Sequence, residues 1–132
     1  MNKSRKNRAY YISRVLIISP VYMGICFNKK QFKNECKRLK VPKNHIPDFI
    51  CGNSDATTHI MKNYKTNNVV CLVCVQKNKN KTEMAGLITH EAVHIWHEIK
   101  DKIGEKYPSA EFEAMCIQSI MQKLFRKERK VM

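Results

Sequence analysis

The chain is short of acid. Eleven Asp and Glu face 25 Lys and Arg, a formal charge of +14 with histidine neutral. Glycine and proline are scarce too, four of each, which excludes collagen-like and low-complexity architectures. Long apolar runs are missing. The stretch from Val15 to Phe27 is too short to cross a bilayer as a helix. Its basic lead-in is a signal-peptide trait, but Arg14 and Pro20 break the apolar segment and no small-x-small site follows Phe27. A buried strand is the better expectation. At 132 residues the chain is expected to form one domain, with 1–8 a basic flexible tail and 9–132 the folded unit.

A second C-x-x-C is also missing. Cys71 and Cys74 form one such pair inside "NVVCLVCVQ". In a strand those two side chains point to opposite faces, so neither a closed zinc site nor a redox pair follows. Cys26, Cys36, Cys51 and Cys116 stand apart from them. Reduced, mostly buried thiols are expected, as in a cytoplasmic protein.

The positive charge is unevenly spread. Bases dominate residues 1–14, 29–43 and 123–130, whereas 83–113 hold most of the acids, including Glu83, Glu91, Glu98, Glu111 and Glu113. A basic surface around a more acidic centre suits nucleic acid or an acidic protein as partner.

Patterning gives the elements. "SRVLIIS", Ser13 to Ser19, reads as a first strand that can extend past Pro20. "KKQFKNECKRL", Lys29 to Leu39, is an amphipathic helix ended by the prolines of "VPKNHIPD". "DATTHIMKNY" and "NNVVCLVCVQ" are strands joined by a turn at "KTNN". Thr82 can cap a helix running to about Ile103, where Gly104 stops it. Ser109 can cap a last helix, Ala110 to about Arg126, with Ala114, Ile117, Met121 and Leu124 as its apolar stripe. The order βαββαα is that of an α+β domain.

The middle helix carries "HEAVH". Four residues apart, His90 and His94 stack on one helix face and can reach one ion. Glu91 is carried round beside that ion, where it can take a proton from a metal-bound water that the ion has acidified. This is the logic of H-E-x-x-H. Two imidazoles hold zinc loosely, so a further ligand is needed, and no histidine follows His97. The next hard donors are Glu111 and Glu113, at the start of the last helix. Two helices joined by a short turn pack antiparallel, which brings that helix start toward the motif. Glu111 shares a face with Ala114 and Gln118.

"HEAVH" followed by "EFEA" is similar to the gluzincin pattern, in which a Glu of the next helix completes the site. Size and element order resemble the minigluzincins, and the stretch also resembles small zincin-like proteins encoded by bacteriophages. The resemblance implies a single small zincin-like domain, with the active-site helix packed on a small sheet and on a C-terminal helix. It implies Zn2+ as cofactor, His90, His94 and Glu111 as ligands, Glu91 as catalytic base, and a protein substrate laid along an edge strand. It also implies a cytoplasmic setting, the host's if the chain is phage-encoded. The chain departs from the pattern at Met115, where many gluzincins have Asp or Asn.

Around this core, His97 and Glu98 can line the cleft or steady a ligand, as can Glu113. Tyr107, His59, Tyr64 and His45 are candidates to stabilise an oxyanion. The polar "TTH" of Ala56–Asn63 marks that strand as the edge, since "VVCLVCV" reads as buried on both faces. The function expected is zinc-dependent hydrolysis of a protein. Its rivals are a zincin fold that works by binding a host factor, and a basic nucleic-acid-associated protein.

Overall fold

A strand with no polar face needs cover on both sides, and the architecture provides it. The computed structural model describes residues 7–14, 19–77 and 80–131. Its elements are β1 (Tyr10–Ile12), β2 (Val21–Cys26), α1 (Lys29–Arg38), a short 3-10 turn at Lys43–His45, β3 (Ala56–Lys62), β4 (Val69–Val75), α2 (Lys81–Lys102) and α3 (Ala110–Val131). The strands form one sheet in the order β1-β2-β4-β3. β2 and β4 run parallel at its centre, with β1 antiparallel to β2 and β3 antiparallel to β4.

Alternation along β4 divides the core in two. Cys71, Val73 and Val75 join Met84, Ile88, Ile95 and Trp96 of α2 and Cys116, Ile120 and Leu124 of α3. Val70, Leu72 and Cys74 face the other way, onto Phe32, Cys36 and Leu39 of the α1 region. The domain is therefore α1, sheet and an α2–α3 pair in three layers. Cys71 and Cys74 lie on opposite faces, as their spacing requires. Burial pushes the thiols of Cys36 and Cys71 up to about 12. All six cysteines are free, and only Cys51 is exposed. No helix among the described residues is long and apolar enough to cross a membrane.

The helices start and stop on local chemistry. Asn28 caps α1 by accepting a hydrogen bond from the Gln31 amide at 2.9 Å. Asn80, not the expected Thr82, caps α2. Its Oδ1 accepts from the Glu83 amide at 2.9 Å while its Nδ2 donates to the Glu83 carboxylate at 2.7 Å, a reciprocal cap. Gly104 closes α2 with φ +73°, a left-handed conformation that suits glycine at a helix end. Ser109 accepts from the Phe112 amide at 3.2 Å and starts α3.

The expected first strand differs. Residues 15–18 lie outside those described, and Ser13, Arg14 and Ser19 on either side are not in a strand. Strand structure falls instead at β1 and β2. β1 is only three residues long, and it is held from a distance: Tyr11 donates to the buried Glu35 of α1 at 2.9 Å. The apolar stripe of α3 differs as well. Cys116, Ile120 and Leu124 are its fully buried members, with Ile117 and Met121 half-buried beside them, and Ala114 is exposed.

Candidate metal centre

The upper face of α2 is polar because its lower face already meets the core. Met84, Ile88, Ala92, Ile95 and Ile99 look into the sheet. One-third of a turn away, His90, His94 and His97 are exposed, and Glu91 sits on the flank between them and the core, 4% exposed.

Among the described residues, His90, Glu91 and His94 form the one cluster of three groups able to hold a metal ion, with their ligand atoms all within 4.8 Å of one another. The two imidazoles meet edge to face at 5.0 Å, and their Nε2 atoms lie 3.3 Å apart. That spacing can be tested against zinc. With Zn–N bonds of about 2.0–2.1 Å in a tetrahedron, two nitrogen ligands stand about 3.3–3.4 Å apart. The separation of the pair matches that spacing.

Glu91 is held rather than free. Thr58 of β3 donates its hydroxyl to Glu91 Oε1 at 2.8 Å. The cleft that opens above is about 420 Å³ and lies between α2 and β3, with Cys51, Ser54, Ile60, His97 and Glu98 at its sides. Ile60 is exposed there, two residues from Thr58 on the same face of the strand. β3 is one of the two outer strands of the sheet, an edge that its polar residues foretell. Thr58 is the residue at Glu91 that motif reading does not single out. Its only signal is a polar β-branched residue on a strand face that points toward a helix.

The other candidates are distributed as follows. His97 and Glu98 line the cleft, and Glu98 also pairs with Lys102 at 3.9 Å. Glu111 is exposed on the outer face of α3, with Ala114 and Gln118 beside it, and does not join the His90–His94 cluster. The reason is the helix's rotation: Cys116 and Ile120 seat it, and the face carrying Glu111 turns outward. The same rotation brings Glu113 toward α2. Glu113 accepts from the Trp96 indole at 2.6 Å and from Lys100 at 3.3 Å. The Trp96 bond first, then Lys100, pull its carboxyl below the usual range.

Four aromatic candidates do not line the cleft. His59 is on the opposite face of β3, buried, stacked on Phe32 at 4.6 Å, with its Nε2 3.0 Å from the Phe49 carbonyl. Strand alternation puts it there, since Thr58 beside it faces α2. Tyr107 is 92% exposed after α2 and borders a separate hollow with His97 and Lys100. Tyr64 is in the β3–β4 turn under Lys62, and His45 is in the 3-10 turn.

No protein-family model, curated protein or solved structure matches the chain. The chemistry is accordingly argued from the site itself.

Proposed function

We propose that the chain is a zinc-dependent peptidase in which His90 and His94 hold the ion and Glu91 is the general base. The observation that carries this reading is the 3.3 Å spacing of the two Nε2 atoms, beside a buried carboxylate and an edge strand. Zinc, when bound, supplies Lewis acidity and lowers the pKa of a water it holds toward about 7.

This chain's own residues do the rest. Thr58 occupies Glu91 Oε1 and so leaves Oε2 to take the proton of the attacking water. The same oxygen then delivers it to the departing amine. An extended substrate pairs its backbone with the free edge of β3. Ile60, exposed on that edge, gives it an apolar contact. His97, at the side of the cleft, can donate an N–H to the carbonyl oxygen as charge develops there. The gluzincin pattern draws its further ligand from the first turn of α3. There Glu111 faces outward and Glu113 is engaged by Trp96 and Lys100, and neither joins the His90–His94 cluster, so both are tested by substitution.

The test couples metal content to turnover. Purified chain is assayed for zinc and for cleavage of quenched fluorescent casein. Glu91→Gln should cut the rate by about 10²–10⁴ and keep both zinc and circular dichroism. Loss of zinc in Glu111→Ala or in Glu113→Ala identifies the third ligand. A wild-type chain that retains no zinc, or a Glu91→Gln chain that cleaves as fast as wild type, would refute the assignment.

A further inference from the structure

The side of the domain away from α2 carries a second concavity, outside the metal centre. It is a cleft of about 560 Å³ between α1 and the segment that follows it. Lys29, Lys33, Lys37 and Lys43 stand on its rim, and Asp48 is its one acid. Among the described residues, none of these lysines takes part in an ion pair. Lys29, Lys33 and Lys37 follow one another at i,i+4, so they repel along a single helix face. The first turn of α1 has no acid, which leaves the positive end of the helix uncompensated. A bound anion relieves both.

The floor is apolar. Val41 and Ile46 line it, over Phe32 and Phe49. We propose that this cleft docks an acidic protein segment with an apolar anchor, the anchor in the hollow and carboxylates along the lysine row. Dimensions support an extended peptide. Lysines four apart on a helix are about 6 Å apart along its axis, and alternate residues of an extended chain are about 6.6–6.8 Å apart. Single-stranded nucleic acid is the poorer fit. It binds by stacking bases on exposed rings, and Phe32 and Phe49 are only 1% and 5% exposed. Arg38, the next residue of α1 after Lys37, is committed to Glu35.

This inference is independent of the peptidase reading, and its test keeps the two apart. A fluorescein-labelled peptide with Asp and Glu at alternate positions around one Phe is titrated by fluorescence anisotropy. Binding should weaken with added NaCl. It should fall about tenfold or more in Lys33→Glu/Lys37→Glu, whose sites are exposed, with unchanged circular dichroism. Replacing the probe's Phe by Ser should also weaken it, and Glu91→Gln should not. Equal binding of the Ser probe, or indifference to the lysine reversals, would overturn the proposal. So would an oligonucleotide of equal charge that binds the same lysines more tightly than the peptide.

Discussion

Thr58 and Glu91 are 33 positions apart in the chain, yet one hydroxyl decides how the carboxylate is presented. A carboxylate with both oxygens free can turn away from a reacting proton. With Oε1 occupied, its rotation about the terminal torsion is restrained and the other oxygen is left unshared in a residue that lines the cleft. Thr58→Val keeps the shape and β-propensity of the side chain and removes only the donor. On the peptidase reading proposed above, casein cleavage should drop about 10–100-fold, the usual effect of removing a supporting hydrogen bond, with zinc content retained. Equal rates for the two chains would mean that Thr58 only fills space. Little of this was legible in the sequence. His90, Glu91 and His94 were, because helix periodicity alone stacks i and i+4. Thr58 depends on which face of β3 meets α2, and a strand of alternating Thr, His, Ile and Met does not declare its face.

At the scale of elements, the α2–α3 pair turns on the rotation of one helix. The stripe Ala114, Ile117, Met121, Leu124 and the stripe Cys116, Ile120, Leu124 both satisfy helical periodicity. They differ by a fraction of a turn, and that difference decides whether Glu111 or Glu113 faces α2. Trp96 settles it. Its indole needs a hydrogen-bond partner once buried, and Glu113 provides one at 2.6 Å. The hairpin β3–β4, the buried centre strand and the stops of α1 and α2 were readable because each follows from local composition, whereas α3 runs on to Val131, past the expected end near Arg126. β1 was not, since three residues carry no periodicity and its place is fixed by Glu35 and β2.

The Glu113 contact has a pH signature. Its folded-state pKa lies below the ordinary 4.5. Its contribution is therefore complete above the unfolded value and is lost as pH falls through the folded one. Trp96 is the sole tryptophan, so its fluorescence reports the contact directly. An acid titration should show a fluorescence step below pH 4.5, ahead of global unfolding by circular dichroism, and Glu113→Ala should abolish it. A step that persists in that variant would assign it to another carboxylate.

For the molecule as a whole, charge opposes compactness. A chain of +14 repels itself, most where bases cluster without acids. The described ion pairs do little against this. Arg8 and Arg38 share one acid, Glu35, and the pairs Lys100–Glu113 and Lys102–Glu98 are partly exposed, where such pairs contribute about 0–1 kcal/mol. The lysine row of α1 has no ion-pair partner among the described residues. Salt therefore has more repulsion than attraction to screen. Raising NaCl from about 0.05 to 0.5 M shortens the screening length from roughly 14 to 4 Å, below the spacing of the α1 lysines along their helix. Thermal unfolding should shift upward by a few degrees over that range, equivalent to about 1 kcal/mol for a chain of this size. Lys33→Glu/Lys37→Glu should start from a higher Tm and gain less from salt, because two of the repelling charges have been reversed. A wild-type Tm that falls with salt would mean that attractive pairs dominate the surface. The lysine row would then be balanced within the domain, with no repulsion left for an acidic partner to relieve.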